Sequence, residues 1–98
     1  MNSDVLIEIE ECIERNDIEN ALSLILANES KYENNAHFWN LKGVLCFNVD
    51  ERDTAISCFS KAVELDPDYQ EAIENLKYIR NLRQDNISED LSILTDKN

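Results

Sequence analysis

The 98-residue chain carries 21 Asp and Glu against 9 Lys and Arg, a formal net charge of −12. That balance excludes a nucleic-acid backbone and an anionic membrane surface as partners, because both need clustered positive charge. With 43% hydrophobic residues, one Gly and one Pro, the chain is neither a solvated acidic tail nor a turn-rich β-sandwich or barrel, and it has no glycine-rich phosphate loop.

The length predicts one domain. No run of 18 apolar residues exists, so no membrane span is expected. Met1-Asn2-Ser3-Asp4 is not basic and no apolar segment with a cleavage site follows, so no secretory signal is read. Three Cys without a C-x-x-C pair read as reduced thiols in a cytoplasmic protein.

In chain order, Ser3 or Asp4 caps a first helix to about Arg15, whose apolar set is Val5, Leu6, Ile9, Cys12 and Ile13. Asn16-Asp17 breaks it, and Asp17 caps a second helix with Ile18, Ala21, Leu22, Ile25 and Leu26. A polar loop spans Ser30 to Asn35. The third helix runs from about Ala36 to Asn48 with Phe38, Trp39, Leu41, Val44, Leu45 and Phe47. Asp50 is the expected cap of a fourth helix, which carries Ala55, Ile56, Phe59, Ala62, Val63 and Leu65 and stops at Asp66-Pro67. Asp68 is the expected cap of a fifth helix to about Gln84, with Tyr69, Ala72, Ile73, Leu76, Ile79 and Leu82. Short polar turns between amphipathic helices imply antiparallel neighbours.

Sliding the chain against itself by 34 residues brings Cys12 onto Cys46, Ala21 onto Ala55 and Ser23 onto Ser57. The same step sets Leu22 on Ile56, Ile25 on Phe59, Ile7 on Leu41, Asn16 on Asp50 and Asp17 on Glu51. Breaks, small residues and apolar residues therefore recur together.

Residues 36–69 resemble a tetratricopeptide (TPR) repeat, with Trp39, Gly43, Ala55, Phe59, Ala62 and Pro67 at consensus positions. Lys42 and Cys46 depart from the family's usual Leu and Tyr. Residues 2–35 resemble a degenerate copy, with Val5 standing for Trp39, Ile9 for Gly43, Asn28 for Ala62 and Glu33 for Pro67. Residues 70–84 resemble the first helix of a third copy, including Asn75-Leu76, but Glu89 falls where Ala55 demands a small residue. The resemblance implies an all-α, antiparallel helix-turn-helix stack, a TPR-like right-handed superhelix of about two and a half repeats. The expected domain is 1–85, followed by a tail at 86–98 that is either a short helix or disordered. Asn86 and Glu89 form a candidate capping box there, and Ile87, Leu91 and Leu94 have helical spacing.

Catalysis finds little support. His37 is the only imidazole and has no evident triad. Glu8, Glu10, Glu11 and Glu14 read as a solvated helix face. Asp50-Glu51-Arg52-Asp53 lacks an EF-hand's glycine and spacing. Cys12 and Cys46, at equivalent positions of stacked helices about 8–10 Å apart, are expected to be free core thiols, and Cys12, Cys46, Cys58 and His37 have no zinc-ligand spacing. No metal or cofactor is expected, and the chain is read as a non-enzyme.

By the resemblance, first helices line a concave face for an extended peptide or a helix. The implied groove residues are Leu6, Glu10, Ile13 and Glu14, then His37, Asn40, Val44, Phe47 and Asn48, then Glu71, Glu74, Tyr78 and Asn81. Phe47, Val44 and Tyr78 would anchor, Asn40 and Asn48 would bond a ligand backbone, and the carboxylates would favour Lys or Arg. The basic residues of the family's carboxylate clamp are missing from these positions. The expected role is an adaptor or scaffold module for a basic or apolar peptide. The alternative is a structural role: self-association into a homo-oligomer, or service as an accessory module of a larger protein.

Overall fold

The computed structural model describes residues 4–82, and every regular element among them is helical. The elements are α1 (Val5–Glu14), α2 (Ile18–Asn28), α3 (Ala36–Asn48), α4 (Arg52–Leu65) and a fifth helix, α5, at 70–82. The fold is an all-α antiparallel stack in which α1 pairs with α2 and α3 with α4, and both α1 and α2 also pack on α3. The tail at 86–98, with Asn86, Ile87, Glu89, Leu91 and Leu94, lies outside the described residues.

The 34-residue step is written into the backbone. Asn16 and Asp50 both take left-handed φ, 60° and 66°. After α1, the Asp17 N–H donates to the Cys12 carbonyl at 2.7 Å and the Asn16 N–H to Ile13 at 3.0 Å. After α3, the Glu51 N–H donates to Cys46 at 2.8 Å and the Asp50 N–H to Phe47 at 3.1 Å. Each set is a Schellman stop, which satisfies the helix's last carbonyls through a left-handed residue. The residues that follow, Asp17 and Glu51, adopt nearly the same conformation and start the next helix.

Two expected caps are corrected here. Asp50 is not the cap of α4; it is the left-handed residue of the preceding stop, and Glu51 occupies the cap position with no side-chain bond. Asp68 does not cap α5 either. Its N–H donates to Asp66 Oδ1 at 3.1 Å, and the chain enters the helix one residue after Tyr69. Asp4 and Asp17 cap as expected, accepting from the Leu6 and Asn20 N–H groups, and Asn35, at the end of the polar loop, caps α3 by accepting from the Phe38 N–H. Asp66 is extended ahead of Pro67, as the proline ring requires.

The core has two parts with α3 between them. Leu6, Ile9, Cys12, Ala21 and Ile25 meet Phe38, Leu41 and Leu45 in one cluster. Ala55, Phe59, Leu76 and Ile79 form the other, against which Val44, Cys46 and Phe47 pack. Helix α3 is therefore apolar nearly all round, as a helix buried on two sides must be. Trp39, the consensus-position aromatic of the resemblance, is only half-buried, and Phe38 is the fully buried aromatic of α3. The indole packs edge-to-face on Phe38, donates Nε1–H to the Glu33 carbonyl at 2.8 Å, and has the Lys42 ammonium over its ring. No described helix is long and apolar enough to cross a membrane.

Candidate functional site

Helices α3 and α5 lie side by side and run the same way. His37 meets Tyr69, Asn40 meets Glu71 and Asn75, and Phe47 meets Tyr78. The sequence separation stays between 31 and 35 at these meetings, close to the 34-residue step that separates parallel neighbours one repeat apart. On α3, residues 37, 40, 44 and 47 fall on one helical face, and on α5 residues 71, 74 and 78 do so.

The N-terminal half of this seam is polar. Asn40 is fully buried. Its Oδ1 accepts from Asn75 Nδ2 at 3.0 Å, and its Nδ2 donates to Glu71 Oε2 at 3.3 Å and to the Tyr69 hydroxyl at 3.4 Å. The same hydroxyl lies 2.8 Å from His37 Nδ1. If the hydroxyl accepts from Asn40 and donates to Nδ1, all three groups are satisfied. No buried side-chain polar atom among the described residues lacks a partner. Burial pushes the Tyr69 phenol above its ordinary pKa, and the carboxylates of Glu71, Glu10 and Asp66 push it the same way against the lowering bond from Asn40. Glu10 of α1 thus shares the field of Glu71 on α5.

The C-terminal half is apolar. Val44, Phe47, Phe59, Asn75, Tyr78 and Ile79 line a hollow of about 140 Å3. Tyr78 is 58% exposed, and its ring meets Phe47 edge-on at 6.0 Å. Ligand and cofactor sites usually occupy some 300–1,000 Å3. This hollow has room for one aliphatic side chain rather than a cofactor.

The thirteen groove residues expected from the sequence separate into four groups. Val44, Phe47 and Tyr78 come together at the hollow. Glu10, Glu14, Asn48, Glu71, Glu74 and Asn81 are exposed, and His37 is half-buried against Tyr69. Leu6 is buried in the first cluster and Ile13 packs against it, so both serve the core. Asn40 is spent on internal partners and has no side-chain group left for a ligand backbone. Tyr69, Asn75, Phe59 and Ile79 also belong to the seam, though the sequence marks them only as helix-packing or repeat positions. A polar Asn40 in an otherwise apolar α3 was the available signal, since a buried amide demands partners on the next helix.

Among the described residues no group of three or more His, Cys, Asp or Glu stands ready to hold a metal ion. No protein-family model, curated protein or solved structure matches the chain.

Proposed function

We propose that this chain is a tetratricopeptide-like, non-enzymatic module for protein–protein interaction, and that the seam between α3 and α5 receives a basic peptide bearing an apolar residue. The observation that carries the reading is the apolar hollow beside Tyr78, continued along the exposed α5 face by Glu74 and Glu71. A partner's aliphatic side chain fills the hollow, and its Lys or Arg side chains lie along the carboxylates. With a chain charge of −12, association is steered by charge and weakens with salt. The reading calls for no cofactor. Its three unpaired thiols suit a reducing compartment such as the cytoplasm.

The test is fluorescence anisotropy with a labelled synthetic peptide holding one leucine among lysines. The expected result is binding that falls with added salt, is lost in Phe47→Asp, and weakens in Glu71→Lys/Glu74→Lys. No binding by the folded chain at low salt, or equal binding by a leucine-free peptide, defeats the reading.

One observation favours a structural role instead. Leu22 and Leu26, one turn apart on the outer side of α2, are 46% and 66% exposed. On that reading the chain pairs with itself through α2. Light scattering separates the two: Leu26→Lys changes assembly and spares the peptide, while the α5 charge reversals do the opposite.

A further inference from the structure

A peptide lying on the seam between α3 and α5 finds few partners for its backbone. Asn40 is fully buried, with its carbonyl bonded by Asn75 and its amide committed to Glu71 and Tyr69. The Tyr69 hydroxyl is shared between Asn40 and His37. Asn75 has given one N–H to Asn40, and it is the one amide between Glu71 and the hollow with groups to spare. Asn48 and Asn81 are exposed but lie past the hollow, toward the C-terminal ends of their helices. The main-chain groups along this stretch are bonded within α3 and α5 themselves. Among the described residues every regular element is helical, so no strand edge is present for an added strand to pair with. An extended ligand would therefore bury N–H and C=O groups without partners, which is costly, whereas a helix bonds its own.

The charges on α5 give such a helix a direction. Glu71 and Glu74 stand in its first half, Lys77 and Arg80 in its second, and all four are exposed. Helices favour acids in the first turn and bases in the last. A second helix of that same polarity meets α5 with opposite charges only when it runs antiparallel. Its cations then face Glu74 and Glu71, and its acidic first turn comes near Arg80. Lys77 and Arg80 lie off the face that carries Tyr78, so they act through their field rather than by contact. Glu71 Oε2 takes a bond from Asn40 at 3.3 Å and Glu74 Oε2 one from Gln70 at 3.3 Å. An ionised carboxylate keeps lone pairs for a cation beyond one such bond. Glu10 of α1 acts on the Tyr69 hydroxyl in the same sense as Glu71, so negative charge borders the seam from both sides.

Spacing completes the description of the ligand. Glu74 and Glu71 stand four and seven residues before Tyr78, about 6 and about 10 Å along the axis of α5. A helix lying alongside repeats that spacing, with positions i, i+4 and i+7 on one face, whereas a strand presents i, i+2 and i+4. The hollow of about 140 Å3 admits one anchor.

We propose that the seam takes its partner as an amphipathic α-helix antiparallel to α5, with one aliphatic anchor in the hollow beside Tyr78 and Lys or Arg four and seven residues later. This occupant presupposes the peptide-binding role proposed for the seam, and adds to it the conformation, direction and spacing of the ligand.

The experiment measures fluorescence anisotropy of four labelled synthetic peptides with the folded full chain at low salt. The first has an acidic first turn, leucine at i and lysines at i+4 and i+7, in a background of alanine and glutamine. The second is the same peptide locked as a helix by a side-chain crosslink on its outer face. The third carries the lysines at i−7 and i−4, and the fourth at i+2 and i+4 with a central proline. The locked peptide should bind several-fold tighter than the first, because its ordering cost is already met. The reversed and strand-spaced peptides should bind several-fold more weakly than the first. Circular dichroism should show the unlocked first peptide gaining helix on binding. Glu74→Lys, at an exposed position, should erase the preference for a cation at i+4. Equal or tighter binding by the strand-spaced peptide, or a preference for the reversed order, overturns the helical occupant and leaves a peptide site in place. Failure of all four peptides to bind defeats the peptide-binding role itself, and the helical occupant with it.

Discussion

Gly43 and Phe59 occupy the same space in a strict sense: a Cβ at residue 43 would fall 2.5 Å from Phe59 Cε1 and 2.6 Å from Cδ1. Phe59 is 3% exposed and wedged between helices, so its ring cannot swing away cheaply. Overpacking of this kind costs about 1–3 kcal/mol, against about 1 kcal/mol returned by alanine's better helix propensity. Gly43→Ala is expected to lower stability by up to about 2 kcal/mol in urea unfolding. The first hairpin shows how the loss is repaired. There Ile9 stands at the glycine's position and Ile25 at the phenylalanine's, both fully buried in one cluster. Adding Phe59→Leu to Gly43→Ala should recover part of the lost stability.

Asp50 holds φ at 66°, a conformation that costs a side-chain-bearing residue about 1–2 kcal/mol. Its contact to Arg52 at 3.3 Å is exposed and worth little. Asp50→Gly should therefore stabilise the chain by about 0.5–1 kcal/mol despite glycine's greater freedom when unfolded. Asn16→Gly should gain less, because asparagine tolerates this region better than most residues. Asp50→Val should be worse than wild type. Denaturation midpoints of the three variants check the order.

The two stops explain what the sequence could and could not tell. Apolar spacing locates all five described helices, and the breaks that recur at the 34-residue step carry the same hydrogen bonds after Cys12 and after Cys46. Aspartate suits both an N-cap and a left-handed turn, and only the Schellman bonding puts Asp50 in the second role. The site was less legible. Helical spacing puts Leu6 and Asn40 on a face, but whether that face is open depends on where neighbouring helices lie. Leu6 is covered within the first cluster and Asn40 by Asn75 and Tyr69, residues 35 and 29 positions away in sequence. Such distant partners leave no mark in local periodicity.

Phe38 and Trp39 exchange the importance that size alone assigns them. Phe38 is 0% exposed, so Phe38→Ala should cost about 3–5 kcal/mol. Trp39→Ala removes a half-buried ring, one hydrogen bond to the Glu33 carbonyl and the Lys42 contact. That loss should be smaller, about 1–2 kcal/mol. Thermal unfolding of the pair tests the ranking, and a larger loss at Trp39 would contradict it.

Asn40 and Asn75 are bonded at 3.0 Å in the only buried polar position of the described core. Asn40→Ala strands the Asn75 amide and removes a donor from Tyr69 and Glu71, for an expected cost of about 2 kcal/mol. Asn75→Ala leaves one Asn40 lone pair unmet and should cost about 1 kcal/mol. Because the losses share one bond, the double variant should be less destabilised than their sum, by about 1 kcal/mol. Additive losses in a double-mutant cycle would mean that the bond is not formed in solution.

Tyr69 links this network to pH. Its phenol is raised first by burial and then by Glu71, so the fold prefers the neutral form and gives up the proton at higher pH than the unfolded chain does. The stabilisation is whole below the ordinary phenol value of about 10 and is lost as pH rises through the higher folded value. Lysines also titrate in this window, so the measurement has to be a comparison. Urea midpoints from about pH 9 to about pH 12 should fall more steeply for the wild type than for Tyr69→Phe. Phenolate absorbance should show one of the three tyrosines ionising late in the folded chain, and that late step should vanish in Tyr69→Phe. Equal slopes in the two proteins would mean that the hydroxyl is as well solvated folded as unfolded, against the packing of Asn40, Glu71 and His37 around it.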